Sequence, residues 1–141
     1  MTYIKLSKDL MAPLDSVWDV IGDLDREPEF WYGTKSIKNI NKKGNTIERD
    51  VVIAFRNSVC REIVQIDPKK TINAEIMSGP MKGTRAITLK SIDSNNTSVT
   101  VQWDIELSGF YRLFTGMVRK HIHSGTVDAL ERISKVVTKQ Q

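Results

Sequence analysis

Residues 11–31, MAPLDSVWDVIGDLDREPEFW, decide how the rest of the chain must be read. Leu14, Val17, Trp18 and Ile21 recur at i, i+3, i+4 and i+7, so they share one helix face and mark it as core. Pro13 stands near the first turn, where its missing N–H costs nothing, and Asp15 suits the positive end of the helix dipole. Gly22-Asp23 breaks this helix. Pro28 punctuates a second short one, which the large aromatics Phe30 and Trp31 close. A strand-like segment from Thr2 to Leu10 precedes the pair.

Downstream, from Lys35, the pattern switches to period two. Ile47, Val51, Ile53 and Phe55 fall on one side of a strand, with Arg49 in the same register. Arg56-Asn57-Ser58 reads as a hairpin turn into a strand from Val59 to Ile66. Asp67-Pro68-Lys69-Lys70 turns the chain into Thr71–Ser78, and Gly79-Pro80 breaks it before Met81–Ile92. After Asp93-Ser94-Asn95-Asn96, the residues Val99, Val101, Trp103, Ile105 and Leu107 alternate cleanly. Turns at this spacing predict an antiparallel meander.

Ser108-Gly109 ends the sheet, and no proline interrupts the segment from Phe110 to about Val137. That segment predicts one long helix, with Phe114, Val118, Ile122, Gly125, Ala129, Ile133 and Val136 on one side. Gly125 and Ala129 are the smallest residues on that side. Either the sheet comes close there, or space is left beneath.

Bulk properties narrow the function classes. At 141 residues the chain has the length of one domain, with 40% hydrophobic and 27% charged residues. No apolar run approaches the roughly 20 residues that cross a bilayer, and MTYIKLSKDL lacks the pattern of a secretory signal. A lone cysteine, Cys60, allows no intrachain disulfide and favours a cytoplasmic setting. One cysteine and two histidines make no Cys/His zinc site. The net charge of +4 is spread over scattered lysines and arginines amid acids, which is a solvated surface rather than a nucleic-acid face.

Met11-Ala12-Pro13 through Gly22-Asp23, with its Val17-Trp18 pair and the later Trp31, resembles the opening of the START-like (SRPBCC) superfamily. It is most similar to the polyketide cyclase/dehydrase and lipid-transport branch. Ile66-Asp67-Pro68, Gly79-Pro80-Met81-Lys82-Gly83 and Val99-Thr100-Val101-Gln102-Trp103 resemble that branch's strand-turn signals. The likeness spans residues 1–141 as a single domain. It implies an α+β helix-grip fold: a curved antiparallel sheet, two short helices after the first strand, and a long C-terminal helix packed across the sheet. It further implies an internal cavity between sheet and helix. Superfamily members hold lipids, sterols, polyketides, quinones and plant hormones, and a minority catalyse cyclisation or dehydration. No universal catalytic residue comes with the resemblance, and it brings no cofactor or metal. Fold alone does not settle function.

Which residues would meet a ligand follows from register. Arg85 lies in phase with Met81, Gly83, Ile87 and Leu89, so it faces inward if they do. A buried guanidinium needs a carboxylate. For Arg85 and Arg49 the favoured reading is a protein partner from among Glu48, Glu62, Glu75, Asp104 and Glu106. The other reading is that one or both grip the acidic or carbonyl head of a ligand. His121 lies on the flank of the helix's apolar side, either bonded to water and sheet or offered to a ligand carbonyl. Trp31, Phe55, Met77, Ile87, Trp103, Phe114, Met117, Val118 and Gly125 complete the expected pocket, methionine suiting an adaptable wall. Phe110-Tyr111-Arg112-Leu113-Phe114 either packs the first turn of the helix or forms a pocket rim, a partner contact or a shallow, transient membrane contact. Three functions follow: a carrier or sensor of a hydrophobic molecule, a cyclase or dehydratase using Arg85, His121 or a tyrosine, and a partner-binding or chaperone-like module with a filled cavity, in which Met77, Met117 and Trp103 would meet. The absence of a legible acid/base pair favours the first.

Overall fold

A computed structural model describes residues 2–139. Strand β1 (Thr2–Leu10) leads into helix α1 (Leu14–Ile21), a 3₁₀ turn (Leu24–Arg26) and the short helix α2 (Glu27–Phe30). Strands β2 (Thr34–Lys43), β3 (Thr46–Ile53), β4 (Val59–Asp67), β5 (Thr71–Ser78), β6 (Met81–Asp93) and β7 (Asn96–Leu107) follow. Helix α3 (Thr115–Lys139) closes the chain. The strands form one seven-stranded sheet in the order β1-β7-β6-β5-β4-β3-β2, every pair antiparallel. This is the α+β helix-grip arrangement. β1 pairs with β7, the last strand of the meander, so the elements between them are wrapped into one curved layer.

Local sequence explains the joints. Gly22 ends α1 by donating its N–H to the Trp18 carbonyl at 2.7 Å. A Cβ there would lie 2.7 Å from the Trp18 ring, so only glycine lets the chain turn against that indole. Gly83 in β6 has φ +139, and a Cβ on it would lie within 2.8 Å of Ile105 Cα and closer still to the Asp104 carbonyl. Two strands of the curved sheet approach closely at that point.

The core is divided along the sheet. At one end α1, α2 and the last turns of α3 (Leu130, Ile133, Val137) pack on Val64, Ile72, Ile87, Leu89, Val99 and Val101. At the other, Cys60, Ile76, Met81, Ile105 and Leu107 pack with Val118 near the start of α3. Trp103 touches both clusters. Between them α3 passes over a hollow.

Two expectations are corrected. Gly109–Phe114 forms a 3₁₀ turn and α3 begins only at Thr115. In 3₁₀ geometry residues three apart eclipse one another. Tyr111 and Phe114 therefore both point at the Phe55 ring, with centroids 5.6 and 6.3 Å away. Phe55 itself is not a strand residue: β3 stops at Ile53, and Phe55–Asn57 makes a 3₁₀ turn in which Arg56 and Asn57 have φ of 57° and 51°. The buried face of α3 also takes in Thr126 and Val137, with Val136 half-buried against the same core. Thr126 is tolerated because its hydroxyl donates to the Ile122 carbonyl at 2.7 Å and accepts from Trp103 Nε1 at 3.1 Å.

Candidate ligand cavity

The hollow between sheet and helix has a volume of about 490 Å³. Ile53, Phe55, Ile76, Met81 and Trp103 give it an apolar wall, and α3 covers it with Met117, Val118, His121, Ile122, Gly125 and Thr126. Gly125 resolves the choice left open by the sequence. A Cβ placed on it meets nothing within 4 Å, so space lies beneath this residue. Ala129 is the opposite case, fully buried within the dense end of the core.

One end of the cavity is ionic. Arg49 and Glu62 face each other across β3 and β4, and both arginines expected from register do point inward, Arg49 1% and Arg85 5% exposed. Arg49 Nη2 donates to Glu62 Oε1 at 2.9 Å and Nε to the same oxygen at 3.1 Å. The other carboxylate is Glu27, from α2. Its Oε2 accepts from Arg49 Nη2 at 3.1 Å and from Arg85 Nη2 at 2.9 Å. Glu27 Oε1 lies 2.7 Å from Arg49 Nη2 but off the line of its N–H, so it counts as ion-pair contact rather than a hydrogen bond. Arg85 is also held between two indoles, its guanidinium carbon 5.1 Å from the Trp31 ring centre and 5.7 Å from that of Trp103.

Burial alone would push the Glu27 carboxyl up, but the Arg85 and Arg49 guanidiniums more than reverse it and hold its pKa below the ordinary value. Burial likewise works against the charge on Arg49, and Glu27 and Glu62 overcome it. The group is thus two cations and two anions, with no net charge. Arg49 Nη1 and Arg85 Nε remain buried without a hydrogen-bond partner. Each such donor costs about 1–3 kcal/mol, which the ion pairs around it must offset.

The α2–α3 contact positions this end. Arg132 Nη1 donates to the Phe30 carbonyl at 2.9 Å, and its guanidinium sits 3.5 Å over the Tyr32 ring. Trp31 lies between those two residues.

The structure brings Trp31, Arg49, Phe55, Arg85, Trp103, Met117, Val118, His121 and Gly125 around this one cavity. Three expected residues lie elsewhere. Met77 is 43% exposed because β5 turns Ile72, Ala74 and Ile76 inward and Met77 out. Ile87 shares Arg85's face but sits two residues further along β6, inside the dense end. Phe114 backs the Phe55 ring without reaching the cavity surface. A filled core, in which Met77, Met117 and Trp103 would meet, is therefore not what is observed. Glu27 was the residue missed. Phe30 follows it at i+3, but on a helix of four residues that spacing is a weak signal.

Cys60 also lines the cavity, and burial, aided by the Glu62 carboxylate, pushes its thiol up to about 11. At pH 8 its alkylation should run about a hundredfold or more slower than that of a free thiol, and urea should abolish the difference. Equal rates in native and unfolded protein would contradict this burial.

Among the described residues no helix is long and apolar enough to cross a membrane. The sequence profile of the polyketide cyclase/dehydrase and lipid transport family matches residues 1–138. Among curated proteins nothing matches. Among solved structures, the Zhui aromatase/cyclase of Streptomyces sp. R1128 superposes with a TM-score of 0.84 at 12% identity, over 99% of this chain and 94% of that one. A START superfamily protein from Mycobacterium smegmatis gives 0.69 at 13% identity, over 93% and 98%. Norcoclaurine synthase from Thalictrum flavum gives 0.72 at 15% identity, over 99% and 88%. At these identities the three likenesses speak for the fold, and the profile speaks for descent. By its profile, which spans nearly the whole chain, the protein belongs to the polyketide cyclase/dehydrase and lipid transport family.

Proposed function

We propose that the protein binds a hydrophobic or amphipathic small molecule in the cavity beneath α3 and carries or senses it without transforming it. The observation that supports this most is the cavity itself: about 490 Å³, walled by aromatic and aliphatic side chains, with a charge-balanced ionic end. Small-molecule sites commonly span about 300–1,000 Å³ with a few polar groups that fix orientation. The electrostatics narrow the ligand. A carboxylate entering a site whose charges already cancel would be buried without a counter-ion, which is expensive. A neutral polar head, such as the carbonyl of a quinone, ketone or ester, avoids that cost.

Native mass spectrometry of the purified protein, followed by denaturing extraction, tests the carrier reading. A discrete extra mass released on unfolding is expected. Specificity is read from displacement of a fluorescent probe by a medium-chain fatty acid and its methyl ester at pH 8. The ester should compete at least about tenfold better, a difference of about 1.4 kcal/mol. Glu62→Gln leaves one cation in surplus and should narrow or reverse that preference. Stronger competition by the acid in the unaltered protein would sink the charge-balance argument.

A second reading, a cyclase or dehydratase, is favoured by one fact: Arg85 and His121 line the same cavity. An arginine would polarise a substrate carbonyl while His121 moves the proton. Against it, Glu27 is locked as a carboxylate by two arginines and is not free to exchange protons. Loss of water from a bound carbonyl compound, abolished in His121→Asn while binding persists, would favour the enzyme.

A further inference from the structure

We propose that the face formed by Phe110, Leu113 and Met117 docks on the surface of an anionic phospholipid bilayer, with the Met117 side of the cavity turned toward it. The 3₁₀ turn that directs Tyr111 and Phe114 inward directs Phe110 and Leu113 outward, by the same three-residue eclipse. Leu113 is 84% exposed and Phe110 62%. Phe110 is held in place. Phe110 stacks on Tyr111 with centroids 4.4 Å apart, and Tyr111 is anchored on Phe55. Large apolar side chains held rigidly in water call for a partner.

Charge says what that partner is. No Asp or Glu occurs from Leu107 through Val127, while Arg112, Arg119 and Lys120 do. Arg112 reaches Glu106 Oε1 at 3.4 Å, and Arg119 and Lys120 have no ion-pair partner among the described residues. Lys120 follows Met117 by three residues within α3 and so borders it. An acid-free segment with an apolar strip bordered by Lys120 is the pattern of a surface that lies in the headgroup region of an anionic leaflet. A second copy of the chain fits poorly, because two-fold pairing would set these cations against themselves. Met117 joins the strip to the cavity, being 46% exposed and also part of the cavity lining. Docking would therefore bring this side of the cavity to the bilayer, whatever the cavity holds.

The test is co-sedimentation with vesicles of phosphatidylcholine alone and of equimolar phosphatidylcholine and phosphatidylglycerol. The protein should sediment with the anionic vesicles and not with the neutral ones, and added salt should release it. Leu113→Asp should lower the partition coefficient at least about tenfold, since it places an anion in the apolar strip. The paired change Arg119→Glu and Lys120→Glu should do the same with the strip intact. Leu113 does not line the cavity, so uptake of a soluble fluorescent probe and the circular dichroism spectrum should be unchanged in Leu113→Asp. Probe uptake thus judges the cavity reading separately from docking. Failure to bind anionic vesicles, binding that ignores Leu113→Asp, or a solution dimer that Leu113→Asp dissolves would each overturn the proposal.

Discussion

Glu27→Gln should lower the free energy of unfolding by about 3–5 kcal/mol, the cost of removing one partner from a buried ion pair while its cations stay behind. Arg85 would lose its carboxylate contact altogether, and Arg49 would keep only Glu62. Glu62→Gln should cost clearly less, because Arg49 then retains Glu27 and Arg85 is untouched. Urea titrations of the three proteins give the comparison directly. Equal losses for Glu27→Gln and Glu62→Gln would show that Glu27 is not the hub of the group. A control separates charge from packing. Replacing Glu27 and Arg85 together by Leu and Met removes the ions as a pair, and should cost less than Glu27→Gln alone.

The same carboxylate shapes the acid limb of stability. Its folded pKa lies below the unfolded value, so the folded state binds fewer protons than the unfolded one. The contribution is present above the unfolded pKa of about 4.3 and is lost as pH falls from there through the folded value. Stability of the unaltered protein should therefore drop below pH ~4. The drop should be shallower in Glu27→Gln. Parallel acid limbs in the two proteins would contradict the assignment.

How far the site could be read from sequence depends on the kind of information each residue needed. Alternation in β3 and β6 settles which face Arg49 and Arg85 occupy, because a strand has only two faces and their neighbours Val51 and Ile87 are apolar. It does not settle what they meet. Glu27 is 58 positions from Arg85, on a helix of four residues, too short for periodicity to mark one face with force. Distance along a strand is equally silent. Arg85 and Ile87 share a face, yet one borders the hollow and the other fills the dense end. Met77 was misplaced for a different reason: its softness suggested a pocket wall, whereas its register after Ile76 already put it on the outer face. The 3₁₀ turn before α3 meets the Phe55 ring, a tertiary contact that local composition does not encode.

Gly125→Leu should reduce ligand uptake at least about tenfold while leaving the fold as stable or up to about 1 kcal/mol more so. The two halves of that expectation have different causes. Glycine within α3 exposes the backbone and loses more conformational freedom on folding than leucine, so replacing it favours the helix. Nothing lies within 4 Å of the added Cβ, so the side chain enters space that the ligand would otherwise occupy. Gly125→Ala separates these causes: it should raise stability by a similar amount with little loss of uptake. Ala129→Leu, one turn further on, should behave in the reverse sense. Ala129 is fully buried among Leu130, Ile133 and their neighbours, and overpacking there costs about 1–3 kcal/mol. Its folded fraction should still take up ligand. The pair can be judged by thermal unfolding and by displacement of one fluorescent probe in all three variants. Undiminished uptake in Gly125→Leu would mean that the ligand does not sit beneath the middle of α3. Unfolding of Gly125→Leu would mean that helix and sheet approach more closely there than the open space beneath Gly125 indicates.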